Sequence, residues 1–326
     1  MERMPEFRLE RPATYAQAAA LLAGEPGARL LAGGTDLVPN LRRGLESPTL
    51  LVDLGAVRDS AELEFGDGEL VLGAGVTLAR LAAEERIAGH YTAIGEAARA
   101  VAGPGHRTVA TLGGNLCLAT RCVFYNQSEW WRQANGYCLK RGGDTCHVAP
   151  QGEHCHAAFS GDLAPALIAL GAEVELLSCR GTRRLALADC YRDDGAAHLS
   201  LERDEVLTRV RVPAPAPGVV SGYRKARVRG AMDFPLAGVA CALGVKQGVI
   251  DRLRVALTGT NSQPMLLDGT EVLVGKPLDD VGLAALGKLV QKQVSPMRTT
   301  VTPSNYRRLV AAAHAQRLVH ELAGAA

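Results

Sequence analysis

Apolar positions along the chain switch repeatedly between short unbroken runs and helical spacing, the pattern of strands alternating with helices. Phe7–Leu9, Ala28–Leu31 and Leu50–Asp53 predict three short strands. Between them, Thr14 and Gln17 form a capping-box pattern ahead of a helix to about Ala23, and a second helix runs through about Arg42. A new unit starts near Leu54. Leu63–Phe65 and Leu70–Leu72 flank Gly66-Asp67-Gly68-Glu69, a hairpin signal. Helical spacing follows over Leu78–Ala83 and Ala93–Val101, then strands over Val174–Leu177, Thr182–Leu187 and Val206–Val212. Pro213-Ala214-Pro215-Ala216-Pro217-Gly218 reads as a linker. Beyond it, Gly222–Val228, Leu236–Val245 and Leu253–Leu257 predict strands, and Leu283–Gln291 and Tyr306–Leu322 predict helices. The order points to an α+β protein. A small βαβ unit occupies residues 1–55, a larger α+β unit 56–212, a linker 213–218, and an α+β C-terminal domain with antiparallel sheet and helices 219–326.

The length of 326 residues suits two or three domains. Basic and acidic residues nearly balance, 36 against 34, which argues against nucleic acid or an anionic membrane as the main partner. Met1–Glu10 lacks the apolar run of a signal peptide, and Leu163–Leu177 is interrupted by Glu173 and Glu175 and too short to span a bilayer. The expectation is a soluble cytoplasmic protein. Its eight cysteines are then reduced, serving as buried fillers or as ligands.

Two Gly-Gly segments carry candidate chemistry: Leu31-Ala32-Gly33-Gly34-Thr35-Asp36 and Thr111-Leu112-Gly113-Gly114-Asn115. Paired glycines tolerate positive φ and let successive N–H groups converge on one anion, as a pyrophosphate requires; Thr35 and Thr111 add hydroxyl donors. A plain tight turn uses the same pair. Gly73-Ala74-Gly75-Val76-Thr77 imitates a dinucleotide fingerprint, but Leu78 stands where its third glycine belongs. It reads as a strand end with Thr77 as helix N-cap.

Those two segments, then Gly161-Asp162-Leu163-Ala164-Pro165, then Lys225 in Tyr-Arg-Lys-Ala-Arg ahead of Asp233-Phe234-Pro235-Leu236, occur in this order. Together they resemble the FAD-binding subunits of the xanthine dehydrogenase and carbon monoxide dehydrogenase family, over essentially the whole chain. The resemblance implies a two-part, PCMH-type FAD-binding domain followed by the C-terminal domain. It implies that Arg29, Leu30, Leu31, Ala32, Gly33, Gly34, Thr35 and Asp36, with Thr111, Leu112, Gly113, Gly114 and Asn115, hold the FAD pyrophosphate. Asp162 would bond polar groups of the cofactor, with Lys225 beside it, and Val101 and Ala102 would line the flavin pocket. Without the resemblance, Asp162 reads as a helix N-cap and Lys225 as a solvated lysine.

Asn115 and Asp162 are separated by 46 intervening residues, an interval that most of the family spans with a short connection. The insert, about 118–160, contains Cys122, Cys138, Cys146 and Cys155, separated by 15, 7 and 8 residues. It also concentrates aromatic residues: Phe124, Tyr125, Trp130, Trp131, Tyr137 and Phe159. Long loops without regular structure are usually functional, and a metal centre would offset the ordering entropy. An iron–sulfur cluster uses about four thiolates, whereas structural zinc favours close Cys pairs, absent here. His147, His154 and His156 keep zinc open, and unliganded thiols are the third reading. Cys179, Cys190 and Cys241 read as buried fillers, and Cys117 as a non-ligand near the second glycine loop.

The insert, from Thr120-Arg121-Cys122 through Trp130-Trp131 to Tyr137-Cys138, resembles that of the β subunits of 4-hydroxybenzoyl-CoA reductases, a branch of this family. That implies a [4Fe–4S] cluster on the four cysteines and electron flow from reduced ferredoxin through the cluster and FAD. A [2Fe–2S] subunit and a molybdenum-containing catalytic subunit would receive the electrons, in a heterotrimer doubled to a heterohexamer. The reaction is reductive dehydroxylation to benzoyl-CoA. No residue of this chain reads as a catalytic acid, base or nucleophile. The alternative is the FAD subunit of a related molybdenum hydroxylase delivering electrons to NAD, its insert held by zinc.

Overall fold

The computed structural model describes residues 4–298 and 302–324. The first unit is a three-stranded parallel sheet. β1 (Arg8–Glu10) leads through α1 (Tyr15–Gly24) to β2 (Ala28–Leu31), and α2 (Leu37–Arg42) leads on to β3 (Leu50–Asp53), which lies between the other two. Leu50 pairs with Arg8 on one side and Ala28 on the other. Thr14 Oγ1 accepts the Gln17 N–H at 3.2 Å, and Gln17 Oε1 accepts the Ala13 N–H at 2.8 Å. The return bond of the expected capping box thus reaches one residue further back. Ala18, Ala19 and Leu22 of α1 pack on Ala28, Leu50, Val52 and Val206, so a residue of the second unit completes this small core.

The second unit begins with β4 (Leu63–Phe65) and β5 (Glu69–Gly73). Five helices follow: α3 (Leu78–Ala83), α4 (Glu85–His90), α5 (Thr92–Ala100), α6 (Pro104–Arg107) and α7 (Leu112–Leu116). The insert contributes α8 (Glu129–Ala134), and α9 (Leu163–Ala169), β6 (Glu173–Ser178), β7 (Gly181–Ala186) and β8 (Val206–Pro213) complete the unit. The five strands form an antiparallel sheet in the order β4-β5-β8-β6-β7. Alternation divides its faces, as expected of an antiparallel sheet with one face in water. Leu70, Leu72, Val174, Leu176, Val210 and Val212 enter the core. On the other face, Arg211 bridges Glu69 and Glu175, and Arg209 pairs with Glu62. As expected, Thr77 caps α3, its Oγ1 accepting the Arg80 N–H at 3.3 Å. α4 is a helix that the hydrophobic spacing does not announce.

The C-terminal domain has a four-stranded antiparallel sheet of β9 (Val219–Ala226), β10 (Ala237–Lys246), β11 (Val249–Thr258) and β12 (Met265–Leu266), with α10 (Asp280–Gln293) and α11 (Ser304–Ala323). β10 is an unbroken apolar run because both its faces are covered. Ala237, Val239, Cys241 and Leu243 pack with Val290, Ala311, Ala315 and Leu318 of the two helices, while Ala240 joins the core of the second unit. Small alanines on that side let α9 approach. Arg254 of β11 then donates to the Ala169 and Ile168 carbonyls at 3.0 and 2.9 Å, supplying the end of α9 with a donor for Ala169 and sharing the Ile168 carbonyl with the Gly171 N–H.

The α+β reading holds in each unit. Cys190 and Cys241 are buried fillers, but Cys179 is exposed, a correction to the expectation for all three. It sits at the corner of the β6–β7 hairpin, where the chain turns in solvent. Among the described residues, no helix is long and apolar enough to cross a membrane.

Arg254→Met removes two charge-assisted hydrogen bonds from the end of α9. The expected loss is about 1–3 kcal/mol, read as a lower urea midpoint.

Candidate functional site

The three units meet around a cleft of about 870 Å³, within the range of small-molecule sites. The first glycine loop forms one wall, the second faces it, and Lys225 with Met232, Asp233 and Phe234 closes it from the C-terminal domain. Arg29, Leu30, Ala32, Gly33, Gly34, Thr35 and Asp36 line it, as do Val101, Ala102, Thr111, Gly113, Gly114, Asn115 and Asp162. Leu31 and Leu112 do not. Leu112 is fully buried in the core, and Leu31 packs beneath Gly34.

The two loops differ in chemistry. In the first, Gly34 has φ +70°, the left-handed region. Among the described residues, the N–H groups of Gly33, Gly34 and Thr35 have no acceptor. These are the free donors that a pyrophosphate needs. In the second loop the donors are already engaged. Leu112 and Gly113 donate to the carbonyls of Val76 and Ala74, and Gly114 to Thr111 Oγ1 at 3.1 Å. Its glycines supply room instead of a nest, which corrects the expectation that both loops act alike. A Cβ on Gly113 would lie 2.9 Å from the Ala74 methyl, whereas one on Gly114 would meet only the Thr111 hydroxyl. Ala74 and Gly75 line the cleft too, so the segment set aside as an incomplete fingerprint belongs to the site.

Asp162 occupies the N-cap position of α9 as expected, but its side chain makes no capping bond. Asn115 does that work from the opposite loop, its Oδ1 accepting the Leu163 N–H at 3.0 Å. Asp162 accepts from the Tyr223 hydroxyl at 2.5 Å and from Lys225 Nζ at 2.9 Å, and Lys225 also reaches the Ala100 carbonyl at 3.2 Å. Both charged side chains are only 4% exposed, so the solvated-lysine reading fails. Burial pushes the Asp162 carboxyl up, and Lys225 and Tyr223 pull it back. Tyr223 was missed in the sequence, though its spacing of two from Lys225 on a strand puts both on one face.

The insert folds beside the first loop. Arg121 and Ala158 exchange backbone hydrogen bonds of 2.9 and 2.8 Å and close its base. Cys122, Cys138, Cys146 and Cys155 are buried, free of disulfides, and line one small cavity with Phe124, Tyr125, Leu139, Lys140, His147 and Val148. Backbone N–H groups of Tyr125 and His156 point at the sulfurs of Cys122 and Cys146, at 3.2 and 3.5 Å. Lys140 donates to the Thr120 carbonyl at 3.0 Å. Burial pushes the Cys155 thiol up to about 11, so a metal binding there displaces a proton. Phe124 is stacked on His147 at 4.0 Å and meets Trp131 edge-on. The aromatic shell is thinner than the composition implied. Trp130 is 74% exposed, and Phe159 belongs to the main core. Cys117 lines the large cleft and not the thiol cavity. Among the described residues, no three His, Cys, Asp or Glu side chains come together closely enough for a single metal ion.

Two family models cover the chain: the FAD binding domain in molybdopterin dehydrogenase, over residues 5–215, and the CO dehydrogenase flavoprotein C-terminal domain, over 221–322. The FAD-binding subunit PaoB of an Escherichia coli aldehyde oxidoreductase is 34% identical over 82% of this chain and 86% of its own. The carbon monoxide dehydrogenase medium chain of Afipia carboxidovorans is 29% identical over 96% and 95%. Among solved structures, a chain of the Cu,Mo-CO dehydrogenase matches with a TM-score of 0.82 at 27% identity, covering 99% of this chain and all of that one. A chain of quinoline 2-oxidoreductase from Pseudomonas putida 86 gives 0.80 at 25% identity, covering 99% of both.

Gly114→Val puts a branched side chain on a residue that lines the cleft, where a Cβ would meet only the Thr111 hydroxyl. The variant is expected to keep its far-ultraviolet circular dichroism and fail to take up FAD in a reconstitution followed by flavin absorbance. Lys225→Met leaves the Asp162 carboxylate buried without its cation, at about 3–5 kcal/mol near neutral pH. A carboxyl whose folded-state pKa is raised holds its proton more tightly folded than unfolded, so the loss shrinks as pH falls through that pKa and grows above it. Urea midpoints at pH 5 and pH 8 measure the difference.

Proposed function

The chain belongs to the FAD-binding subunits of the xanthine dehydrogenase and carbon monoxide dehydrogenase family, and on that premise we propose that it is the FAD and [4Fe–4S] subunit of a 4-hydroxybenzoyl-CoA reductase-like molybdenum enzyme. It works beside a molybdenum-containing catalytic subunit and a [2Fe–2S] subunit, taking electrons from reduced ferredoxin. Two electrons and two protons replace the ring hydroxyl by hydrogen, releasing water and benzoyl-CoA on the catalytic subunit.

The observation that carries this reading is the convergence of four buried, unpaired thiols on one cavity inside a long insert. A cubane is bound at its corner irons, so its thiolates stand wider apart than those around one zinc, where each bond is about 2.3 Å. Four cysteines with no close Cys pair suit the cluster better than structural zinc, which favours such pairs. When bound, FAD stores two electrons and the cluster exchanges one.

The protein's own part is placement. Gly33, Gly34 and Thr35 offer N–H groups to the pyrophosphate, and Gly113 and Gly114 leave it room. Asp162, held between Tyr223 and Lys225, offers its remaining acceptor capacity to polar groups of the cofactor. Val101 and Ala102 wall the flavin end. Around the thiols, burial excludes water and the Tyr125 and His156 amides stabilise charge on sulfur.

Electron paramagnetic resonance of the anaerobically purified, chemically reduced chain tests the reading. A fast-relaxing spin-½ signal is expected. It should vanish in Cys138→Ser together with iron and acid-labile sulfide, while saturating FAD still binds. A flavin signal alone, with zinc found in place of iron, overturns the reading and leaves an FAD subunit that delivers electrons to NAD.

A further inference from the structure

The two cofactor regions are joined by one buried side chain. Arg121 is 8% exposed and directly precedes Cys122. Its Nη2 donates to Asp36 Oδ1 and Asn40 Oδ1, and its Nη1 to Asn126 Oδ1 at 3.2 Å. Asn40 in turn donates to the second oxygen of Asp36 at 3.0 Å. Asp36 and Asn40 both line the large cleft, and Asp36 ends the cleft-lining loop whose Gly33, Gly34 and Thr35 N–H groups have no acceptor among the described residues. Asn126 lies in the turn that carries Cys122, whose carbonyl accepts the Asn126 N–H at 3.1 Å. One planar guanidinium thus grips the glycine loop with one nitrogen and the thiol-bearing turn with the other. Such a fork transmits position, because its donors are fixed relative to each other. Nε is buried without a partner, so nothing else compensates if the group shifts.

We infer that Arg121 is a positioning residue that couples FAD affinity to the loading of the thiol cavity. The inference rests on the cluster reading above. A filled cavity orders the Cys122 turn, the turn fixes Arg121, and Arg121 holds Asp36 so that the Gly33–Thr35 donors are pre-arranged for the pyrophosphate. An emptied cavity loosens the same chain of contacts and weakens FAD without removing any group that touches it. Coupling between binding sites is reciprocal, so FAD also slows loss of iron.

The test measures the FAD dissociation constant by fluorescence titration of the full chain, iron-loaded and iron-stripped, in wild type, Arg121→Gln and Arg121→Lys. Stripping is expected to weaken FAD about tenfold in wild type. Arg121→Gln should bind FAD at the weakened level even when loaded, with little further loss on stripping. Arg121→Lys keeps the charge but not the fork and should show the same uncoupling, whereas a purely electrostatic role would be rescued. If Arg121→Gln does not fold, Asn126→Ala cuts the insert side of the link alone and should likewise abolish the difference between loaded and stripped protein. Equal FAD affinity in loaded and stripped wild type, with iron and sulfide verified in the loaded sample, overturns the coupling and leaves the cluster reading standing. An insert that never holds iron and sulfide overturns both.

Discussion

Gly33 lies so close to Val109 that a Cβ would sit 1.9 Å from its carbonyl oxygen. No side chain fits there, and the site depends on that contact. It presses the parallel-sheet unit against the loop preceding Thr111, so that the two Gly-Gly segments, 80 residues apart in sequence, face each other across one cleft. The first loop, with its N–H groups free, then borders space that the second loop keeps open. The joint is reinforced at a distance by Val206, which completes the core of the first unit from the second.

The third wall is fixed by charge. A carboxylate and an ammonium buried together are tolerable only when each is paired and hydrogen-bonded. Asp162 and Lys225 meet this condition with the Tyr223 hydroxyl and the Ala100 carbonyl. The four groups come from β9, the end of α5 and the start of α9, so the pair also registers the C-terminal sheet against the second unit. Alanines along β10 and the Arg254 bonds to α9 hold the same interface from the other end. A polar site and a packing interface are here one arrangement.

Local signals in the chain disclose the local structure. The glycine pairs, the Thr77 cap and the alternation in β5, β6 and β8 all depend on neighbours within a few residues. What the sequence does not disclose are partnerships made across it. That Asn115 caps α9 in place of Asp162 depends on a loop and a helix start 48 residues apart. That the second glycine loop has no donors to spare depends on the carbonyls of Ala74 and Val76. Ala74 and Gly75 fall short of a motif as a string of letters, yet reach the cleft because β5 ends beside Thr111. Trp130 contradicts the inference from composition: clustering in sequence brought it to the insert but not into its interior.

The insert poses the sharpest physical question, because its own core is small. Leu45, Phe124, Tyr125 and Ala157 are the main buried apolar groups besides the cysteines, and Leu45 is borrowed from the first unit. Regular structure is limited to the six-residue α8 and a short 3-10 turn. The rest of the chain between Arg121 and Ala158 is held by turn hydrogen bonds and by the buried Arg132, which donates to the Tyr125 and Gln127 carbonyls, against the usual conformational entropy. Anchors exist at the base, where Asp194, Gly195 and Ser262 hold Cys155 and Thr120 holds Lys140. They do not reach Cys138 or Cys146. A centre bonded to all four thiols would cross-link the insert at points far apart in sequence, where cross-links restrict the unfolded chain most. The Arg121 fork ties this insert to the edge of the cleft, through Asn126 on one side and Asp36 and Asn40 on the other.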